Sequence, residues 1–242
     1  MRERNFNKEL FYFLDKIKNN ENFALSRWGD GELKILKNEF IDLRIQKNGE
    51  FRYDPQLKIY NKSRKLLNDA YSYKDDNYYV GIACPCCVGQ DKYLEMKKMS
   101  GQDEEHLTWA NIFVNSNYKN FLKYYTEEFK KYTINLVINN KANEKKLEFN
   151  SNYVIKVGTD AWYINLNIID DLKEYISKNN IENEIFLFAA GPLANILVYE
   201  MWKYNKNNIY LDIGSVYDVI MGMKATRGYH KNAPTINKVC IW

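Results

Sequence analysis

The segment Ser26-Arg27-Trp28-Gly29-Asp30-Gly31-Glu32-Leu33 sets two carboxylates one glycine apart, directly behind the apolar run Phe23-Ala24-Leu25. Mn2+ and Mg2+ prefer carboxylate oxygens and water, and their sites commonly use one or two carboxylates while substrate phosphates complete the shell. Asp30 and Glu32 suit that role as candidate metal ligands. Gly29 and Gly31 would let the backbone approach a ligand closely, and Arg27 could grip a phosphate oxygen in bidentate fashion. The same residues admit a second reading, in which Asp30 N-caps a helix and Glu32 complements the dipole in its first turn. The two readings can coexist.

Other residues able to do chemistry stand where apolar runs end. Gly158-Thr159-Asp160, Ala190-Gly191-Pro192 and Gly214-Ser215 each follow such a run. Pro192 in a first helical turn behind Gly191 would leave backbone N–H groups available to an anion, although the same pair also suits an ordinary tight connection. Neither G-x-G-x-x-G nor the phosphate-loop pattern G-x-x-x-x-G-K-[ST] occurs, which argues against a dinucleotide dehydrogenase and a P-loop kinase. Cys84, Cys86 and Cys87 lie together in Ala83-Cys84-Pro85-Cys86-Cys87, but a structural zinc site needs four ligands, and only Cys240, His106 and His230 remain as distant candidates. The spacing favours reduced thiols at the end of a strand, some packed as small hydrophobes.

The elements that must position these residues alternate along the chain. Strand-like runs cover Phe23 to Arg27, Tyr78 to Ala83, Ile134 to Ile138, Tyr153 to Val157, Ile185 to Ala189 and Ile209 to Ile213. Helical spacing marks Leu10 to Ile17, Leu57 to Leu67, Phe121 to Tyr132, Ile168 to Ile176 and Leu193 to Tyr204. Strands separated by helices of this length imply an α/β protein with a Rossmann-like, mainly parallel sheet and helices on both faces. In such sheets the ligand binds beyond the carboxyl ends of the strands, where the candidate residues fall.

Composition narrows the function classes. The 35 basic and 31 acidic residues are well mixed, so the net charge of +4 leaves no electrostatic footprint for nucleic acid. Twelve Phe, twenty Tyr and five Trp support a packed core. No stretch approaches the roughly 18 to 20 apolar residues of a membrane span, and the N-terminus has no signal-peptide core, so a soluble cytoplasmic protein is expected. Four cysteines do not make a disulfide framework at this length. With no Pro-, Gly- or Ser-rich linker, residues 1–242 are expected to form one domain.

Four blocks carry a resemblance: Leu25 to Glu32, Trp109 to Tyr118, Ala189 to Ala194, and Leu211 to Ser215 with the later Thr226-Arg227-Gly228-Tyr229-His230. In these the sequence resembles the bacterial glycosyltransferases of the GT-D fold, whose Asp-x-Glu signature matches Asp30 and Glu32. The resemblance implies a nucleotide-diphosphate sugar donor, most often UDP-linked, dependence on Mn2+ or Mg2+, and a glycan or glycoprotein acceptor in glycoprotein or surface-polysaccharide assembly. It also implies donor contacts at Arg27, Trp28, Gly29, Asn115, Asn117, Tyr118, Gly191, Pro192, Asp212, Gly214, Ser215 and Arg227. His230 is the candidate catalytic base that the last block supplies. A second candidate is His106 in the acidic cluster Asp103-Glu104-Glu105-His106, which also reads as a solvated helix start.

Two other classes stand beside this reading. Leu211 to Ser215 superficially matches the first motif of S-adenosylmethionine-dependent methyltransferases, but it lacks the second and third glycines and too little chain follows it. A Rossmann-like domain that binds a nucleotide sugar without turning it over is the non-enzymatic alternative, distinguished by the absence of metal-dependent transfer.

Overall fold

The computed structural model describes residues 5–44 and 51–242. Seven strands form one parallel sheet: β1 (Ala24–Arg27), β4 (Tyr78–Ile82), β5 (Leu107–Trp109), β6 (Ile134–Asn139), β7 (Ser151–Val157), β8 (Ile185–Phe188) and β9 (Ile209–Asp212). Their order across the sheet is β5-β4-β1-β9-β8-β6-β7, and every pairing is parallel. A separate antiparallel pair, β2 (Ile41–Asp42) and β3 (Arg52–Tyr53), stands beside it.

The strands read as nearly continuous apolar runs because both faces are covered. Successive side chains alternate between two cores, as strand geometry requires. Tyr78, Val80 and Ile82 of β4, Phe186 and Phe188 of β8, and Tyr210 of β9 face one layer. There they pack with α3 (Asn61–Ser72), α5 (Gln90–Ser100), α9 (Ile168–Lys178) and α10 (Pro192–Tyr204). Leu25, Tyr79, Ile185, Leu187, Ile209 and Leu211 face the other, with α1 (Phe6–Lys18) and a composite helical segment. That segment runs through α6 (Tyr118–Asn120), a π turn over Phe121–Tyr125, and α7 (Thr126–Phe129). The chain after β9 completes this second layer with Val216, Tyr217, Tyr229, Ile236 and Cys240.

Three short helices fill strand-to-helix junctions: α2 (Asp30–Leu36) after β1, α4 (Pro85–Val88) after β4 and α8 (Ala161–Ile164) after β7. The six expected strands and five expected helical regions are all present. Leu107–Trp109, the β2–β3 pair and α5 were not expected: two- and three-residue strands carry no alternation to read. Among the described residues no helix is long and apolar enough to cross a membrane.

Candidate functional site

A cleft of about 850 Å³ opens over the carboxyl ends of the strands. Its walls come from the junctions that follow β1 (Arg27 and Gly29 to Glu32), β5 (Ala110, Asn111, Val114), β8 (Ala189 to Pro192) and β9 (Asp212, Gly214, Ser215, Asp218). The tail adds Thr226, Arg227 and Tyr229, and Phe51 and Trp162 form an aromatic wall at the β3 and β7 side. A second depression, about 510 Å³, lies at the opposite ends of β1 and β4 around Asp75, Asp76 and Trp202; of the candidate residues only His106 lies near it.

At the floor of the cleft, Arg27 and Asp212 form a largely buried network that ties together β1, β9 and the junction after β5. The Arg27 Nε–H donates to the Asp212 carbonyl at 2.7 Å, and Nη1 donates to the Ala110 carbonyl at 3.0 Å. The Asp212 carboxylate accepts the Gly214 N–H at 2.9 Å and the Arg27 N–H at 3.2 Å, with Arg27 Nη2 3.6 Å away. Burial pushes the Asp212 carboxyl up, while the Arg27 guanidinium and these two N–H donors oppose that shift. Gly214 must have φ +51°, and a Cβ there would collide with Arg27 Nη2. Asn195, at the fourth position of α10, donates to Ser26 Oγ at 3.1 Å and to the Arg27 carbonyl at 2.9 Å, locking α10 to the end of β1.

Above this floor stand the acidic pair and the helix end. The N-cap of α2 is Gly29, not Asp30 as the capping reading expected; Glu32 Oε2 accepts the Gly29 N–H at 3.0 Å, and Asp30 and Glu32 both line the cleft. Asp30 is exposed and Glu32 half-buried. Gly191 caps α10 at φ +57° and ψ −140°, a conformation that glycine reaches without strain, and Pro192 occupies the first helical turn. No side chain among the described residues caps this N-terminus, so its partial positive charge faces the cleft.

No family model and no curated protein matches the sequence. The fold does match solved structures. One, for which the highly conserved domain of unknown function 1792 is described as having a distinct glycosyltransferase fold, gives a TM-score of 0.59 at 16% identity over 95% of this chain and 83% of that one. Another, described as a new glycosyltransferase of the same domain type from Streptococcus sanguinis, gives 0.60 at 14% identity over 93% and 84%. This chain has that glycosyltransferase fold.

Within the glycosyltransferase fold, Arg27, Gly29, Asp30, Glu32, Gly191, Pro192, Asp212, Gly214, Ser215 and Arg227 all line the cleft. The structure puts Trp28, Asn115, Asn117, Tyr118 and His230 elsewhere. Trp28 is fully buried against Tyr71 of α3, with ring centroids 4.7 Å apart. Asn115 donates to Cys240 Sγ at 3.3 Å, and Asn117 donates to the Phe6 and Ile112 carbonyls. Tyr118 donates its hydroxyl to the Val216 carbonyl at 3.3 Å, beneath the tail.

His230 fastens the tail rather than facing the cleft. Its Nε2 lies 2.9 Å from the Ser215 carbonyl, a contact that requires the Nε2–H tautomer, and its ring packs on Tyr118 and Tyr229. Burial pushes the imidazole pKa down, the Ser215 carbonyl opposes this, and Arg227 adds to the lowering. The Ser215 hydroxyl meets the Tyr229 hydroxyl at 2.6 Å, so one residue clips two tail side chains. The other candidate base, His106, sits ahead of β5 at the far end of the sheet, 3.2 Å from the Asp76 carbonyl.

Several residues of the cleft escaped the sequence reading. Asn195 sits in a helix whose pattern is otherwise apolar, and a mid-helix Asn gave no signal apart from its cost in propensity. Phe51 and Trp162 read as core aromatics, and by burial they are. Asp160 turned out to anchor the β2–β3 pair: buried at φ +61°, it accepts the Arg52 N–H at 2.7 Å and lies 3.6 Å from Arg44.

Proposed function

We propose that the protein is a metal-dependent glycosyltransferase that moves a hexose from a nucleotide-diphosphate donor, a UDP-sugar, to a glycan or glycoprotein acceptor in glycoprotein or surface-polysaccharide assembly. The observation that carries this reading is the convergence, in one cleft of a glycosyltransferase fold, of an acidic pair, an uncapped helix N-terminus and the tail cation Arg227. The donor set suits Mn2+ or Mg2+: Asp30 and Glu32 offer hard oxygens. Among the described residues they gather no third His, Cys, Asp or Glu, and diphosphate oxygens and water would complete the shell. When bound, such an ion would neutralise charge developing on the departing diphosphate.

The chain's own groups support the rest of the reaction. The N-terminus of α10 behind Gly191, which no side chain caps, would receive a phosphate through the positive end of the helix dipole. Arg227, on the tail, would add charge where the leaving group becomes more negative than the bound donor, so its contact strengthens in the transition state. Arg27 acts indirectly, because its guanidinium is committed to Asp212 and Ala110 and sets the shape of the floor. With Asp30 and Glu32 assigned to the metal and His230 tethered to the Ser215 carbonyl outside the cleft lining, Asp218 is the carboxylate of the cleft that would take the proton of an entering acceptor hydroxyl.

The test is turnover. Incubation with a panel of UDP-hexoses and Mn2+ should release UDP, slowly to water and faster with a glycan acceptor, and EDTA should abolish the release. Metal-independent donor binding with no release would replace the transferase by a nucleotide-sugar sensor.

A further inference from the structure

Three cysteines clustered in sequence and a fourth more than 150 residues away meet at one point of the fold. Cys84, Cys86 and Cys87 occupy the turn from β4 into α4, and Cys240 comes from the C-terminal tail. Their four Sγ atoms all lie within 4.8 Å of one another. A tetrahedral zinc ion with Zn–S bonds of about 2.3 Å spaces its sulfurs about 3.8 Å apart, so a modest adjustment of side-chain rotamers suffices. Cys84-Pro85-Cys86-Cys87 contains the C-x2-C spacing of structural zinc sites. The Cys87 and Val88 N–H groups donate to the Cys84 carbonyl at 3.0 and 3.2 Å, so this stretch turns back on itself.

The surroundings suit sulfur that carries negative charge. Asn111 Nδ2 donates to Cys87 Sγ at 3.3 Å, Asn115 Nδ2 to Cys240 Sγ at 3.3 Å, and the Ile241 N–H to Cys86 Sγ at 3.5 Å. The Lys238 ammonium donates to the Cys86 carbonyl at 2.7 Å, setting a cation beside the group. N–H donors aimed at ligand atoms are the outer shell that orients thiolates and offsets their charge. A redox C-x-x-C pair fits less well, because the cysteine at the helix start, which such chemistry needs accessible, is Cys84, with no exposed surface.

We propose that Cys84, Cys86, Cys87 and Cys240 bind one zinc ion as a tetrathiolate clasp that fastens the C-terminal tail to the β4–α4 turn. Beyond the sulfurs, Trp242 packs its ring on Trp109 and Tyr93 at 5.0 and 5.1 Å, and Lys238 donates its N–H to the Thr235 carbonyl. The same tail carries Arg227 and Tyr229 into the cleft, and Asn111 belongs both to the cleft wall and to the sulfur shell. The clasp therefore holds in place one wall of the candidate active site.

The test uses the full wild-type chain, reduced, stripped with chelator and titrated with Co2+ and then Zn2+. Thiolate-to-cobalt charge-transfer absorption and tetrahedral d–d bands should rise to saturation at one equivalent and bleach on addition of Zn2+. Zinc should also slow amide exchange across residues 227–241, and Cys240→Ser should lose stoichiometric binding. A wild-type chain with four titratable thiols and no charge-transfer band would overturn the proposal, as would unchanged tail exchange at zinc saturation. A mass lower by two hydrogens and restored by reductant would replace the clasp by a disulfide.

Discussion

Arg27 lies in the segment that a sequence reader would assign to phosphate binding, yet its guanidinium is spent on the floor of the cleft. Removing one partner of a buried, hydrogen-bonded ion pair strands the other, at a cost of about 3 to 5 kcal/mol. Arg27→Ala should therefore lower stability by that order in denaturant titration. Gly214→Ala should destabilise through the same contact, since its Cβ displaces Arg27 Nη2. The double variant should lose less than the sum of the two, because without the Arg27 guanidinium the methyl added at position 214 has nothing to displace. Strict additivity in that cycle would show that the two residues do not communicate. Asp30 belongs to the opposite class: exposed on the cleft wall, it contributes little to packing, and Asp30→Asn should leave the melting temperature nearly unchanged while metal-dependent donor binding falls.

The elements that matter most are α10 and the tail, which present groups to the cleft from opposite sides. At the start of α10, Gly191 sits at φ +57° and ψ −140°, so Gly191→Val should cost about 1 to 3 kcal/mol in backbone strain and also obstruct the ligand. Wild-type UDP affinity in that variant would remove the helix end from the site. The tail should respond to acid through His230. Its folded pKa is held below the ordinary value of about 6.5, so the unfolded chain binds the proton more readily. The resulting stability is present above about pH 6.5 and is lost as pH falls through it towards the folded value. Thermal unfolding between neutral and mildly acidic pH should slope less steeply in His230→Gln, which keeps an N–H for the Ser215 carbonyl; identical slopes would contradict the assignment. At this scale the sequence was readable wherever an element is long. Strands such as Ile134–Asn139 and helices such as Pro192–Tyr204 announce themselves by periodicity and by the Gly-Pro start, whereas Leu107–Trp109 is defined only by its pairing with β4.

Across the whole molecule, the parallel sheet converts residues scattered along the chain into one surface, because every βα junction leaves the same edge. That rule made the junctions after Arg27, Phe188 and Asp212 legible in advance. It could not foresee where residues outside a junction would go. Asn115, Asn117 and Tyr118 pack under the tail and His230 lies within it, so their donors go to Cys240 Sγ and to the Phe6, Ile112, Val216 and Ser215 carbonyls. The meeting of Cys240 with Cys84 to Cys87 was likewise invisible to spacing, since it depends on how the tail crosses the sheet edge. The central claim is that this edge holds a nucleotide diphosphate through a metal at Asp30 and Glu32. Calorimetric titration with UDP and with GDP, each in Mn2+ and then in EDTA, on the wild type and on Asp30→Asn, tests it most directly. The account predicts UDP binding that requires Mn2+ and disappears in the variant; no binding of either nucleotide, or equal affinity in EDTA, would contradict it.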